Sequence, residues 1–252
     1  MQPSDLPDPW DLIRIGIDFC KLPPKDDHFH AVQLVCSSAL ELFRGILKLF
    51  EEENPISAKA LSRVLLETLV TAVVLAKHPE KLQDFKDCGR YLHLRYLKSS
   101  DGALFPELEG HQLKLIAKHG ADYTQLERKF RRRLWHGMTR EASFVEAGFD
   151  PSIYDGFYRP TSAFAHGEPS RYVMQDQNDE WVFGRSDDKE ARYLAGALAS
   201  STSLLLEALE QINQTLSLPF SERLKAFKQP FLAFVRTFSE ALLKKIPTTC
   251  SS

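Results

Sequence analysis

Apolar positions along this chain recur at steps of three and four, the pattern of amphipathic helices. Val32, Val35, Cys36, Ala39, Leu40, Phe43, Ile46, Leu47 and Phe50 share one helical side between a cap at Asp26 or Asp27 and about Glu53. Asn54-Pro55 breaks that helix. Upstream, Asp8-Pro9 opens a shorter helix to about Cys20, which Leu22-Pro23-Pro24 ends. A third helix, Ala58 to Lys77 with Ser57 as its cap, is apolar nearly all round. Such a helix belongs at the centre of a bundle.

The same periodicity predicts helices over Leu82 to about Lys98, Glu107 to His119 (ended by Gly120), and Tyr123 to Trp135. A short helix, Arg140 to Ala147, has Thr139 as cap and Gly148 as stop. A long one runs from Asp187 to about Leu216, with small residues in its first part that let a neighbour approach closely. Leu218-Pro219 separates it from a last helix, Ser221 to Lys245, which Pro230 should kink or split. Tyr172-Val173-Met174 and Trp181-Val182-Phe183 flank a polar turn and read as a small β-hairpin. The expected fold is therefore all-α: a single multi-helix bundle with one small β-hairpin insertion. One domain would span residues 1–252, with its core at about 26–216 and the helix 221–245 packed on it.

Composition changes this picture little. The 252 residues are 43 % hydrophobic, enough for a sizeable core, and the net charge of -2 excludes a global pull toward nucleic acid. Any such binding needs a local patch. The four cysteines form no CxxC, and no Cys-His spacing suits zinc. The start, MQPSDLPDPW, has no basic segment leading into an apolar run. The apolar stretch Val64 to Ala76 is broken by Glu67 and too short for a bilayer. These features lead to an expected cytoplasmic protein with no membrane partner, no cofactor and no metal.

Three segments carry chemistry. Arg63 and Glu67 sit four apart within the apolar third helix, either as a paired core ion pair or as the polar wall of a pocket. Arg131, Arg132 and Arg133 stand in a basic run before Trp135 and His136. That run is a solvated helix face or a phosphate-contacting patch with rings for stacking. The densest stretch is Tyr154 to Tyr172, YDGFYRPTSAFAHGEPSRY, which holds Tyr158, Arg159, Ser162 and His166. A histidine can serve as general base or acid while a nearby arginine steadies charge on phosphorus, so Arg159 and His166 suit a metal-independent ribonuclease. The plainer alternative is a histidine that ties the loop to the bundle. Ser162 lacks the GxSxG context of a nucleophile. Glu67, His136 and His166 could together bind a metal, but no HExxH or paired-histidine motif supports them.

The helix ALSRVLLETLVTAVVLA and the stretch WHGMTREASFVEAGFDPSIYDGFYRPTSAFAHGEPS resemble the bacterial domain-of-unknown-function family numbered fifty-six seventy-seven, over roughly residues 30–215. The resemblance implies an α-helical domain without an established activity, and carries over Arg63, Glu67, Tyr158, Ser162 and His166. A more distant similarity is to HEPN domains, helical bundles of toxins and defence ribonucleases with an Arg-x(4–6)-His signature. Here Pro160 follows Arg159 where that family has a polar residue. The similarity implies RNA as partner and a homodimer with facing motifs. The expectation is thus an HEPN-like RNA-binding protein or ribonuclease. Its rival is a non-catalytic helical module that binds a small ligand or a protein partner.

Overall fold

Helices begin in this chain where a side chain can take up the first free N–H groups. The computed structural model describes residues 7–99, 106–131, 133–159, 173–175, 181–183 and 187–243. Helix α1 (Pro9–Cys20) starts at Asp8, whose carboxylate accepts from the Trp10 N–H at 3.1 Å. Helix α2 (Asp27–Glu51) starts at Asp26, which accepts from Phe29 N–H at 2.7 Å. Helix α3 (Pro55–Lys77) begins earlier than its expected cap at Ser57. Asn54 accepts from Ser57 N–H at 3.1 Å, and Pro55 occupies the first turn, where its missing N–H costs nothing.

A 3₁₀ turn, Pro79–Lys81, leads into α4 (Leu82–Ser99). Helix α5 (Pro106–Phe130) then joins what read as two helices in the sequence. It passes through Gly120, because a helix of 25 residues tolerates an interior glycine, each at a cost of about 1 kcal/mol, and α5 also holds Gly110. It also stops at Phe130, so Arg131 and Arg133 lie beyond the helix rather than along its face. Helix α6 (Arg140–Ala147) is capped by Thr139 and closed by Gly148 in the left-handed conformation at φ 86°. A π-helical turn, Tyr154–Tyr158, follows. Helices α7 (Asp187–Thr215) and α8 (Ser221–Leu243) complete the described bundle. Pro230 does not split α8.

Helix α3 lies between α2 and α7, and Leu65, Leu66, Leu69, Val73 and Val74 on it are fully buried. Its apolar circumference has that central position as its cause. Close approach of α3 and α7 rests on small residues. Ser201 donates to the Ser62 hydroxyl at 2.8 Å, and Ser62 donates to the Ala58 carbonyl at 2.7 Å, both serines fully buried. The core begins before residue 26, since Leu12, Ile13 and Phe19 of α1 join the same buried cluster that reaches Phe231 in α8. Two three-residue strands, β1 (Val173–Gln175) and β2 (Trp181–Phe183), pair antiparallel with Met174 opposite Val182. A hairpin insertion needs a turn as well as this pairing, and the expected turn, residues 176–180, lies outside the described residues. The architecture is all-α. Among the described residues, no helix is long and apolar enough to cross a membrane.

Candidate functional site

Arg63 and Glu67 are one turn apart on α3, and the Arg63 Nε donates to Glu67 Oε1 at 3.3 Å. The Arg63 side chain is 12 % exposed and that of Glu67 38 %, so the pair is set into the surface with its carboxylate end reaching solvent. The π-helical turn brings a third group. Tyr158 donates its hydroxyl to Glu67 Oε1 at 2.8 Å and accepts from Arg63 Nη2 at 3.2 Å. Such turns insert one residue per helical turn and so re-aim side chains. Here the result is a parallel stack of Tyr154 on Tyr158, with centroids 5.3 Å apart and planes 14° from parallel. Phe144 of α6 meets both rings edge-on, at 5.5 and 5.3 Å.

The fourth group is Arg140, the first residue of α6. Its Nη1 donates to both Glu67 Oε1 and the Tyr158 hydroxyl. Both guanidiniums also lie over the Tyr158 ring, Arg63 at 5.0 Å and Arg140 at 5.7 Å from its centre. One carboxylate oxygen thus takes three donors from three different residues. Burial, and then the hydrogen bond to Glu67, push the Tyr158 phenol above its ordinary value, so it stays a protonated donor. Burial, the largest single influence, works against the charge on Arg140, but the Glu67 carboxylate and Tyr158 together outweigh it and the guanidinium is held more firmly protonated.

Of the residues singled out in the sequence, Arg63, Glu67 and Tyr158 meet here. Arg159 does not join them. It follows the π turn directly and points away, pairing through Nε with Asp155 at 3.2 Å and lying over Tyr154 at 5.2 Å. Ser162, His166 and Arg132 lie outside the described residues. Arg131 and Arg133 are exposed. Trp135 is withdrawn as a stacking platform, because it is buried edge-on against Phe85 at 5.2 Å, with His136 beside it at 5.1 Å. His136 is buried too and accepts from Met138 N–H through Nδ1 at 3.2 Å, while burial lowers its imidazole below the ordinary value. It is packed into the core, and a set with His166 lies outside the described residues. Among the described residues, no group of three His, Cys, Asp or Glu side chains could hold a metal ion.

Arg140 was not foreseen in the sequence. One signal was present: a cation at the first position of a helix opposes the macrodipole, so it needs a local carboxylate to offset it.

Residues 29–180 match the model of a family of unknown function, DUF5677. The chain belongs to that family. No curated protein and no solved structure matches it. The DUF5677 segment contains Arg63, Glu67, Arg140 and Tyr158, so the four-residue cluster lies within the family's own span. It ends before α7, short of the limit near residue 215 that the resemblance implied.

Proposed function

We propose that this DUF5677 chain is an HEPN-like RNA-binding protein whose phosphate-contacting centre is Arg63, Arg140, Tyr158 and Glu67, with metal-independent ribonuclease activity as its sharper form. The observation that carries the reading is the convergence of two guanidiniums, from α3 and α6, on one phenol hydroxyl, with Arg140 and Glu67 partly exposed. Guanidinium forks match phosphate oxygens in geometry as well as charge. In cleavage, the RNA 2′-hydroxyl attacks phosphorus and the 5′-oxygen leaves. A base must take the first proton, an acid must supply the second, and cations must steady the charge between them. His166 is the base or acid in this reading, with Arg63 and Arg140 on the phosphate. Arg131 and Arg133, exposed past the end of α5, hold the RNA backbone. The HEPN similarity adds a homodimer and a cytoplasmic setting in bacterial toxicity or phage defence.

The test is retention of the purified chain on single-stranded RNA along a salt gradient. Arg140→Gln should elute at lower salt and reduce the log–log salt slope by about one. His166→Ala should keep retention and stop cleavage. Elution of Arg140→Gln unchanged from the wild type rejects the reading.

A second reading has its own support. Glu67, Arg63, Arg140 and Tyr158 already satisfy one another, as the parts of a structural tie do. In that case the chain is a non-catalytic module for a small ligand or a protein partner. Arg140→Gln then lowers the melting temperature, and no RNA retention exists to be lost.

A further inference from the structure

We infer that Glu67 is a built-in competitor for a tetrahedral oxyanion: its carboxylate occupies the place of a phosphate group, and a bound phosphate displaces it. This rests on the reading of the cluster as a phosphate site and adds how that site is held closed. The geometry is unusual for a plain ion pair. All three donors, Arg63 Nε, Arg140 Nη1 and the Tyr158 hydroxyl, converge on the single atom Oε1. An oxygen with two lone pairs serves three donors poorly. A phosphate group offers separate oxygens, so each donor gains an acceptor of its own when phosphate replaces the carboxylate.

The parts differ in how freely they can move. Arg63 is 12 % exposed and Tyr158 is buried in the stack with Tyr154 and Phe144, so these two form a fixed seat. Glu67 and Arg140 are 38 % and 44 % exposed and form the solvent-facing rim of the cluster. A glutamate on that rim can turn outward about its side-chain bonds without disturbing the apolar face of α3. Its charge then leaves the guanidiniums to the incoming anion, and any carboxylate that stays nearby repels it.

The probe is inorganic phosphate at fixed pH, titrated into the full chain by calorimetry, with chloride at matched ionic strength as the control. The wild type should bind phosphate weakly but measurably. Glu67→Gln, which keeps the size and one acceptor oxygen but removes the charge, should bind roughly tenfold more tightly. Arg140→Gln should bind more weakly than the wild type. Should Glu67→Gln fail to fold, Glu67→Ala, which removes the carboxylate altogether, is read the same way. A Glu67 variant that binds phosphate no better than the wild type overturns the inference, and so does a wild type that does not distinguish phosphate from chloride. The RNA column separates this result from the broader reading. Tighter phosphate in Glu67→Gln with no RNA retention leaves the competitor intact and rejects RNA as the substrate. RNA retention with no effect of Glu67 rejects the competitor alone.

Discussion

Gln33 shows how much one buried polar side chain can settle. It is 4 % exposed on α2, yet its amide donates to the Phe19 carbonyl at 3.0 Å and the Leu22 carbonyl at 2.8 Å. Those are carbonyls at and just past the end of α1, where intrahelical partners run out; Phe19 also accepts from Leu22 N–H at 3.1 Å. Gln33→Leu keeps the bulk and removes both donated bonds, leaving Phe19 only its Leu22 N–H partner, so it should destabilise the chain by about 2 kcal/mol. The check is a denaturant titration, in which the midpoint falls and the slope holds. Nothing in the sequence marks Gln33, since a glutamine amid an apolar stripe looks the same whether or not two distant carbonyls await it. Arg63 and Glu67 were legible for the opposite reason: charges inside a helix apolar all round demand partners. Their chief partner, Arg140, was not legible, because the contact joins residues 73 apart in sequence and only the folded chain brings them together.

At the scale of elements, α6 is the informative case. Eight residues are too few to persist as a helix alone, so its place comes from α3, along which it runs in parallel. Arg140 pins its start to Glu67. At its end, Glu146 accepts from His78 Nε2 at 2.9 Å, and Lys77 Nζ donates to the Glu146 carbonyl at 2.8 Å. The other nitrogen of His78 meets Glu80 at 2.9 Å, while Lys77, Lys81 and His136 are the nearby basic groups. The Glu146 hydrogen bond first, and Glu80 after the opposing pull of burial, hold the imidazolium above its ordinary value of 6.5. A raised folded value means the latch contributes in full below that ordinary value and is lost as pH rises through the folded one. Melting temperature should therefore fall as pH rises above that ordinary value in the wild type. That fall should be shallower in His78→Gln. If the two pH profiles superimpose, His78 carries no such linkage.

Element boundaries with a chemical cap were readable: Asp8, Asp26, Thr139 and Gly148 stand where the sequence put them. The passage of α5 through Gly120 was not, because a single glycine only taxes a helix and a long packed helix absorbs the cost. The π turn was equally invisible, since its extra residue leaves no compositional mark.

For the whole molecule, the placement of α3 decides most of the stability. It was foreseen from its apolar circumference, whereas the share of α1 in the core was not, because a short amphipathic helix fits equally well on a surface. Leu66→Ala, at a fully buried position facing that centre, should cost about 2–5 kcal/mol by equilibrium unfolding. A loss under 1 kcal/mol would mean the bundle closes around the void.

The Ser62–Ser201 contact reaches beyond its own two hydroxyls. Greasy helix faces can slide past each other by a turn at small penalty, but a polar pin in such a seam penalises every alignment except one. Ser62 is the immediate neighbour of Arg63, so the pin also indexes where that guanidinium sits along the bundle. The four-residue cluster inherits its coordinates from the interior, and a silent-looking change in the α3–α7 seam can detune it from within.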